Sequence, residues 1–270
     1  MQRSWLQVVA ALACAAVLGA STASASSDKP DDTSAPDVID GAWVRHADVL
    51  LVGDSESLGY FGAQLYRSLS TEPDPVSHAP LTVWSLWTCG SDVTTWERGG
   101  TSYCGICTCN GAGDCARDHG PLDRPGRIRY SSLREYLSRV APRVTIVSLG
   151  SNMLTNRAGT FRAFYSTYLD YVGQLVGDID RANSLCVWIG PPQTAVSTKP
   201  VKDYEQFVAD LGRTVASKGC IFIDSNPLSD RSLLLRGDPE GIHYQGVGER
   251  AWETKVWQQL RPQLIAHLAR

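Results

Sequence analysis

Between Asp48 and Asp54 the chain runs through four consecutive aliphatic residues, Val49-Leu50-Leu51-Val52, and then breaks at Gly53-Asp54-Ser55. An unbroken apolar run this short reads as a strand buried on both faces, as in a parallel sheet covered by helices. Similar runs recur at Leu81–Leu86, Val144–Leu149, Leu185–Ile189 and Ile221–Ile223, which makes five expected strands. Between them the apolar spacing changes to that of helices. Leu58, Phe61, Leu65 and Leu69 keep one face after the first strand, and Ser131–Val140 forms a short helix closed by Pro142. Phe161, Phe164, Tyr165, Tyr168, Val172, Leu175, Val176 and Ile179 mark a long one, interrupted by Gly173 and Gly177, for which a close packing contact is expected. Val201, Tyr204, Phe207, Val208, Leu211 and Val215 mark the next, and the last is expected from about Gln245 to Leu260, stopped or kinked at Pro262. Alternating strands and helices with right-handed crossovers predict an α/β fold, a three-layer α/β/α sandwich.

Two separated clusters carry candidate chemistry. Ser55 falls at the C-terminal lip of the first strand, where ligands bind in open α/β sheets and where helix N–H groups favour an anion. The competing reading is a helix cap, since serine is a preferred N-cap residue. Nearly two hundred residues later comes Asp238-Pro239-Glu240-Gly241-Ile242-His243. A carboxylate three residues before a histidine, with a glycine between, can turn back onto the imidazole and orient it as a general base.

Together these segments resemble the SGNH (GDSL-type) serine hydrolases over roughly residues 45–262. The first block is Gly53-Asp54-Ser55-Glu56-Ser57-Leu58-Gly59. The second is the glycine of Trp87-Thr88-Cys89-Gly90-Ser91, the third Leu149-Gly150-Ser151-Asn152, and the last Glu240-Gly241-Ile242-His243. The resemblance implies a flavodoxin-like five-stranded sheet in the order 2-1-3-4-5. It also implies a Ser55 nucleophile, a His243 base, and an oxyanion hole built from the N–H groups of Ser55 and Gly90 and the Asn152 side chain. Motif register points to Glu240 as the triad acid, with Asp238 as the alternative. Two positions depart from the family pattern: the acid is Glu240 where aspartate is usual, and Met153 follows Asn152 where many relatives have aspartate.

The N-terminus changes where this chemistry is expected to operate. Arg3, an apolar run from Trp5 to about Gly19 and the small residues Ala23-Ser24-Ala25 fit a secretory signal over residues 1–25. An uncleaved anchor is the alternative and the one route to a membrane. A Ser/Asp/Pro/Thr-rich linker follows at 26–42, leaving one domain at 43–270. The formal charge of −3 becomes −4 on loss of Arg3, with no recurring basic patch to suggest nucleic acid.

Eight cysteines in an exported chain point to disulfides, and loss of Cys14 leaves an odd seven. Cys186 and Cys220 open neighbouring strands and are either bridged or buried thiols. Cys89, Cys104, Cys107, Cys109 and Cys115 cluster around a glycine-rich insertion at about 99–126, too poor in apolar residues to hold itself together. Two bridges of about 2–4 kcal/mol each would do so. A metal held by Cys104, Cys107, Cys109, Cys115 and His119 is the alternative, disfavoured by export. No cofactor is implied. Trp84, Trp87 and Trp96 flank Gly90 and are candidates for stacking on a sugar, with core filling as the competing role. The expected substrate is an ester, foremost an acetylated cell-envelope or extracellular polysaccharide. A small-ester carboxylesterase, an O-acyltransferase and a non-catalytic carbohydrate-binding or scaffold protein are the alternatives.

Overall fold

The computed structural model describes residues 46–102, 105–109, 115–118, 128–155, 160–195, 201–238 and 241–270. The expected signal (1–25) and linker (26–42) lie outside the described residues. The parallel strands are β1 (Val49–Gly53), β2 (Val83–Thr88), β7 (Val144–Ser148), β8 (Leu185–Ile189) and β9 (Ile221–Ile223). They stand in the order β2-β1-β7-β8-β9, the 2-1-3-4-5 arrangement of a doubly wound sheet.

The continuous aliphatic runs follow from burial on both faces. In β1, Leu50 and Val52 join one apolar cluster and Val49 and Leu51 the other, because successive side chains alternate across a strand. The first cluster is closed by α2 (Val93–Arg98), α3 (Leu133–Val140), α5 (Thr160–Arg181) and α6 (Val201–Ser217). The second is closed by α1 (Tyr60–Thr71) and α7 (Gly246–Leu268). A short helix, α4 (Ser151–Thr155), follows β7. Among the described residues, no helix is long and apolar enough to cross a membrane.

Three expectations need correction. First, α7 does not stop at Pro262 but continues through it to Leu268. A proline inside a helix costs about 3 kcal/mol, but Leu260, Leu264 and Leu268 are all fully buried in the second cluster, and their packing keeps the helix intact. Second, Gly173 and Gly177 make no close contact: an added Cβ would meet Lys218 Cε at 3.9 Å and Arg181 Nη1 at 3.4 Å, and nothing in the structure explains these glycines. Third, the five expected strands are joined by others at the edge of the sheet. β4 (Ile106–Cys109) pairs antiparallel with β2, and β5 (Cys115–Asp118) with β4, extending the sheet to seven strands. β3 (Gly100–Ser102) and β6 (Ile128–Tyr130) form a separate antiparallel ribbon.

Cys186 and Cys220 form a disulfide with Cα atoms 4.7 Å apart, one residue before the paired Val187 and Ile221. Cys89 and Cys109 are each disulfide-bonded as well, and Cys107 is a thiol buried beside β2. A disulfide sulfur is no thiolate ligand, so Cys109 drops out of the metal alternative; Cys104 and His119 lie outside the described residues.

Candidate active site

Gly53 ends β1 with Trp87 of β2 on one side and Ser148 of β7 on the other. A Cβ there would sit 2.1 Å from Ser57 Oγ and 3.2 Å from the Ser148 carbonyl, so the chain needs glycine to leave the strand. It then makes a tight turn: the Ser57, Leu58 and Gly59 amides donate to the Asp54, Ser55 and Glu56 carbonyls. Asp54 is buried and fastens this turn by accepting the Glu56 amide at 3.0 Å. Burial pushes its carboxyl up to about 7. Helix α1 begins only at Tyr60, after Gly59, so Ser55 caps no helix. Its hydroxyl instead lies 3.3 Å from Nε2 of His243.

His243 is presented by a short antiparallel bridge between Leu234 and Tyr244, where the Leu235 amide donates to the His243 carbonyl at 2.8 Å. Asp238 Oδ2 lies 3.1 Å from Nδ1 of the same ring and accepts the Ile242 and His243 amides at 2.8 and 2.9 Å. Burial opposes the charge on Asp238, but the bond to His243 and these amides outweigh it and hold the carboxyl at about 2. The structure therefore brings together Ser55, His243 and Asp238. Glu240, the acid that motif register favours, lies outside the described residues.

The other two blocks reach the same rim. Gly90 sits two residues past the end of β2 with φ +73°, and it is exposed. A Cβ would touch nothing there, so the demand for glycine is one of backbone conformation. Asn152 is on α4 rather than at a strand end, and its Nδ2 donates to the Ser91 carbonyl at 2.8 Å. Ser91 ties the blocks together: its hydroxyl lies 2.8 Å from the Thr88 carbonyl and 3.4 Å from that of Gly53, and it accepts Nε1–H of Trp96 at 3.1 Å. Gly150, just before α4, lies so close to the Pro191 ring that a Cβ would approach within 2.6 Å.

The tryptophans do not line the site. Trp84, Trp87 and Trp96 are 3%, 2% and 0% exposed, core residues on both faces of β2. With their indoles buried in the core, they offer no free face for stacking on a sugar. Met153 is likewise fully buried, so departure from the family pattern at that position serves packing.

Sequence reasoning missed a second layer of acids behind His243. Glu56 is buried, and neither carboxyl oxygen has a hydrogen-bond partner among the described residues. Burial pushes its carboxyl well up, with His243 countering and Asp54, Glu249 and Asp238 adding to the rise. Glu249, in the first turn of α7, accepts the Tyr60 amide at 2.8 Å and packs directly on Gly59. Its carboxyl is pushed up to about 7 by burial. Its signal in the sequence is a carboxylate at helical spacing with Trp252, Val256 and Leu260, a buried face that Glu253 also shares. The two helices are further joined by stacking of Phe61 on Trp252, by Ser68 Oγ donating to Glu253 at 2.9 Å, and by a two-pronged Arg261–Glu72 pair.

This is the fold of SGNH/GDSL-type hydrolases. Axe2, an acetylxylan esterase from Geobacillus stearothermophilus, superposes with TM-score 0.53 at 11% identity, covering 81% of this chain and 95% of its own. A GDSL-like lipase from Bacteroides thetaiotaomicron gives TM-score 0.51 at 10% identity over 80% of this chain and 88% of its own. Protein YxiM from Bacillus subtilis gives 0.52 at 13% identity over 83% of this chain, which spans only 58% of that longer protein. No family model and no curated protein matches the sequence.

Proposed function

We propose that the protein is an exported serine esterase that removes acetyl groups from an extracellular or cell-envelope polysaccharide. The observation that carries this reading is the aligned series Ser55 Oγ, His243 Nε2 at 3.3 Å, and Asp238 at 3.1 Å from Nδ1, at the C-terminal edge of the sheet. Ser55 attacks the ester carbonyl as His243 takes its proton, and Asp238 holds the tautomer and stabilises the imidazolium. The N–H groups of Ser55 and Gly90 and the amide of Asn152 meet the oxyanion. Collapse of the tetrahedral intermediate breaks the ester C–O bond, and His243 returns the proton to the leaving alcohol. Water, deprotonated by the same imidazole, then attacks the acyl-serine; the acyl C–Oγ bond breaks, His243 returns the proton to Ser55 Oγ, and the carboxylic acid leaves.

Asp238, rather than Glu240, is the acid of this reading, because it is the carboxylate seen on the ring. The acetyl-polysaccharide substrate is supported by the structural likeness to an acetylxylan esterase and by the signal-like N-terminus. The test is acetate release from a panel of acetylated polysaccharides, together with mass spectrometry after treatment with a serine-directed phosphonate. An adduct on Ser55 with acetate release is expected. A wild-type protein that neither labels nor hydrolyses a simple acetyl ester would overturn the reading.

A further inference from the structure

One buried hydroxyl of the insertion holds the peptide unit that the proposed reaction uses in the second block. Ser102, at the end of β3, is 2% exposed. Its single hydroxyl proton faces two carbonyls, that of Cys89 at 3.1 Å and that of Gly105 at 2.8 Å, and its oxygen accepts the Gly105 amide at 3.2 Å. The Gly105 carbonyl in turn accepts the Cys89 amide at 3.0 Å. Both backbone polar groups of Cys89 are therefore gripped from the insertion.

The Cys89 carbonyl and the Gly90 N–H belong to one peptide plane. No described peptide bond is cis, so the two point in opposite directions, and pinning the oxygen aims the hydrogen. The pin matters because the neighbouring residue is a glycine. Rotating this plane changes φ of residue 90, and glycine accepts either sign of φ at little cost. Gly90 is also exposed, with no atom within 4 Å of where its Cβ would lie, so its own side of the turn is not packed in place.

We propose that Ser102 is a positioning residue that aims the Gly90 N–H at the oxyanion. This role rests on the esterase reading and gives the insertion a part in it: β3 and the start of β4 brace the donor loop.

The experiment compares S102T, S102C and S102A in the full chain, using p-nitrophenyl acetate hydrolysis and ¹⁵N relaxation of the Gly90 amide, with thermal melting to confirm folding. Losing an oxyanion donor outright costs roughly 10²–10³ in turnover, so a misaimed donor in S102A is expected to lower kcat about tenfold. KM should stay within about twofold, because the oxyanion exists only beyond the ground state. Activity should fall in the order S102T, S102C, S102A as the hydroxyl donor weakens and disappears. The Gly90 order parameter should drop from about 0.85 towards 0.6 in S102A. A Gly90 amide that stays rigid, or a kcat that holds within twofold, overturns the proposal. If the wild-type protein releases no nitrophenol, the esterase reading fails instead, and the Gly90 order parameter still decides whether Ser102 aims that amide.

Discussion

A single oxygen of Asp238 accepts both main-chain amides of Ile242 and His243 and lies 3.1 Å from the ring nitrogen of His243. The turn that makes this possible closes when the Gly241 amide donates to the Asp238 carbonyl at 3.3 Å, with Gly241 at φ +65°. The carboxylate thus fixes the loop and the imidazole together. Asp238→Asn should keep the size of the side chain but favour the wrong tautomer, lowering kcat by roughly 10³–10⁴. Glu240→Gln should leave esterase activity near that of the wild type. Steady-state rates of the two variants on a simple acetyl ester check this, and a larger loss in Glu240→Gln would name the other acid.

Ser55→Ala and His243→Ala should each reduce turnover to background, and the double variant should be scarcely worse, because residues that act as a unit are strongly non-additive. Asn152→Ala should lower kcat by roughly 10²–10³ while leaving measurable activity. Multiplicative losses in the double variant would mean that the hydroxyl and the imidazole do not act together.

Glu249 makes stability depend on pH. Burial raises its folded-state carboxyl from 4.5 to about 7, so the folded protein holds this proton more tightly than the unfolded chain. Stability from this group is therefore fullest below about pH 4.5 and falls as pH rises to about 7, by about 3 kcal/mol at most. Glu249→Gln keeps an acceptor for the Tyr60 amide and removes the titration. Its Tm should fall less than that of the wild type between about pH 5 and about pH 8 in melting scans. Parallel curves for the two proteins would refute the assignment.

Cys186 and Cys220 link the starts of two neighbouring strands across 34 residues of chain. Replacing both with alanine should cost about 2–4 kcal/mol in denaturant unfolding, with no change in ester hydrolysis, since the bridge lies at the opposite end of the strands from Ser55. A variant with wild-type stability would show that the packing of β8 on β9 already suffices.

The legible and the hidden parts of this protein differ for physical reasons. β1, β7 and β8 announce themselves because strands covered on both faces are dominated by apolar residues, as Val49–Val52 are. The strands of the insertion were invisible. Segments such as Cys115-Ala116-Arg117-Asp118 carry no apolar alternation; β4 pairs on the open edge of β2, and β5 in turn on β4. Acids such as Glu56 and Glu249 look like surface residues in a sequence, since burial of a lone carboxylate runs against its hydration. The pairing of Asp238 with His243 was open to two registers until the turn itself placed one oxygen on the ring.

The separation of Ser55 from His243 along the sequence carries a consequence for how such a chain matures. Ser55 emerges early in synthesis, but the imidazole and carboxylate it meets lie 188 and 183 positions later, and α7 directly follows them. A nascent polypeptide therefore carries an unarmed hydroxyl until residues 238–243 have been made and have folded back onto it. On the esterase reading, hydrolytic competence would arrive in one late step of synthesis and folding.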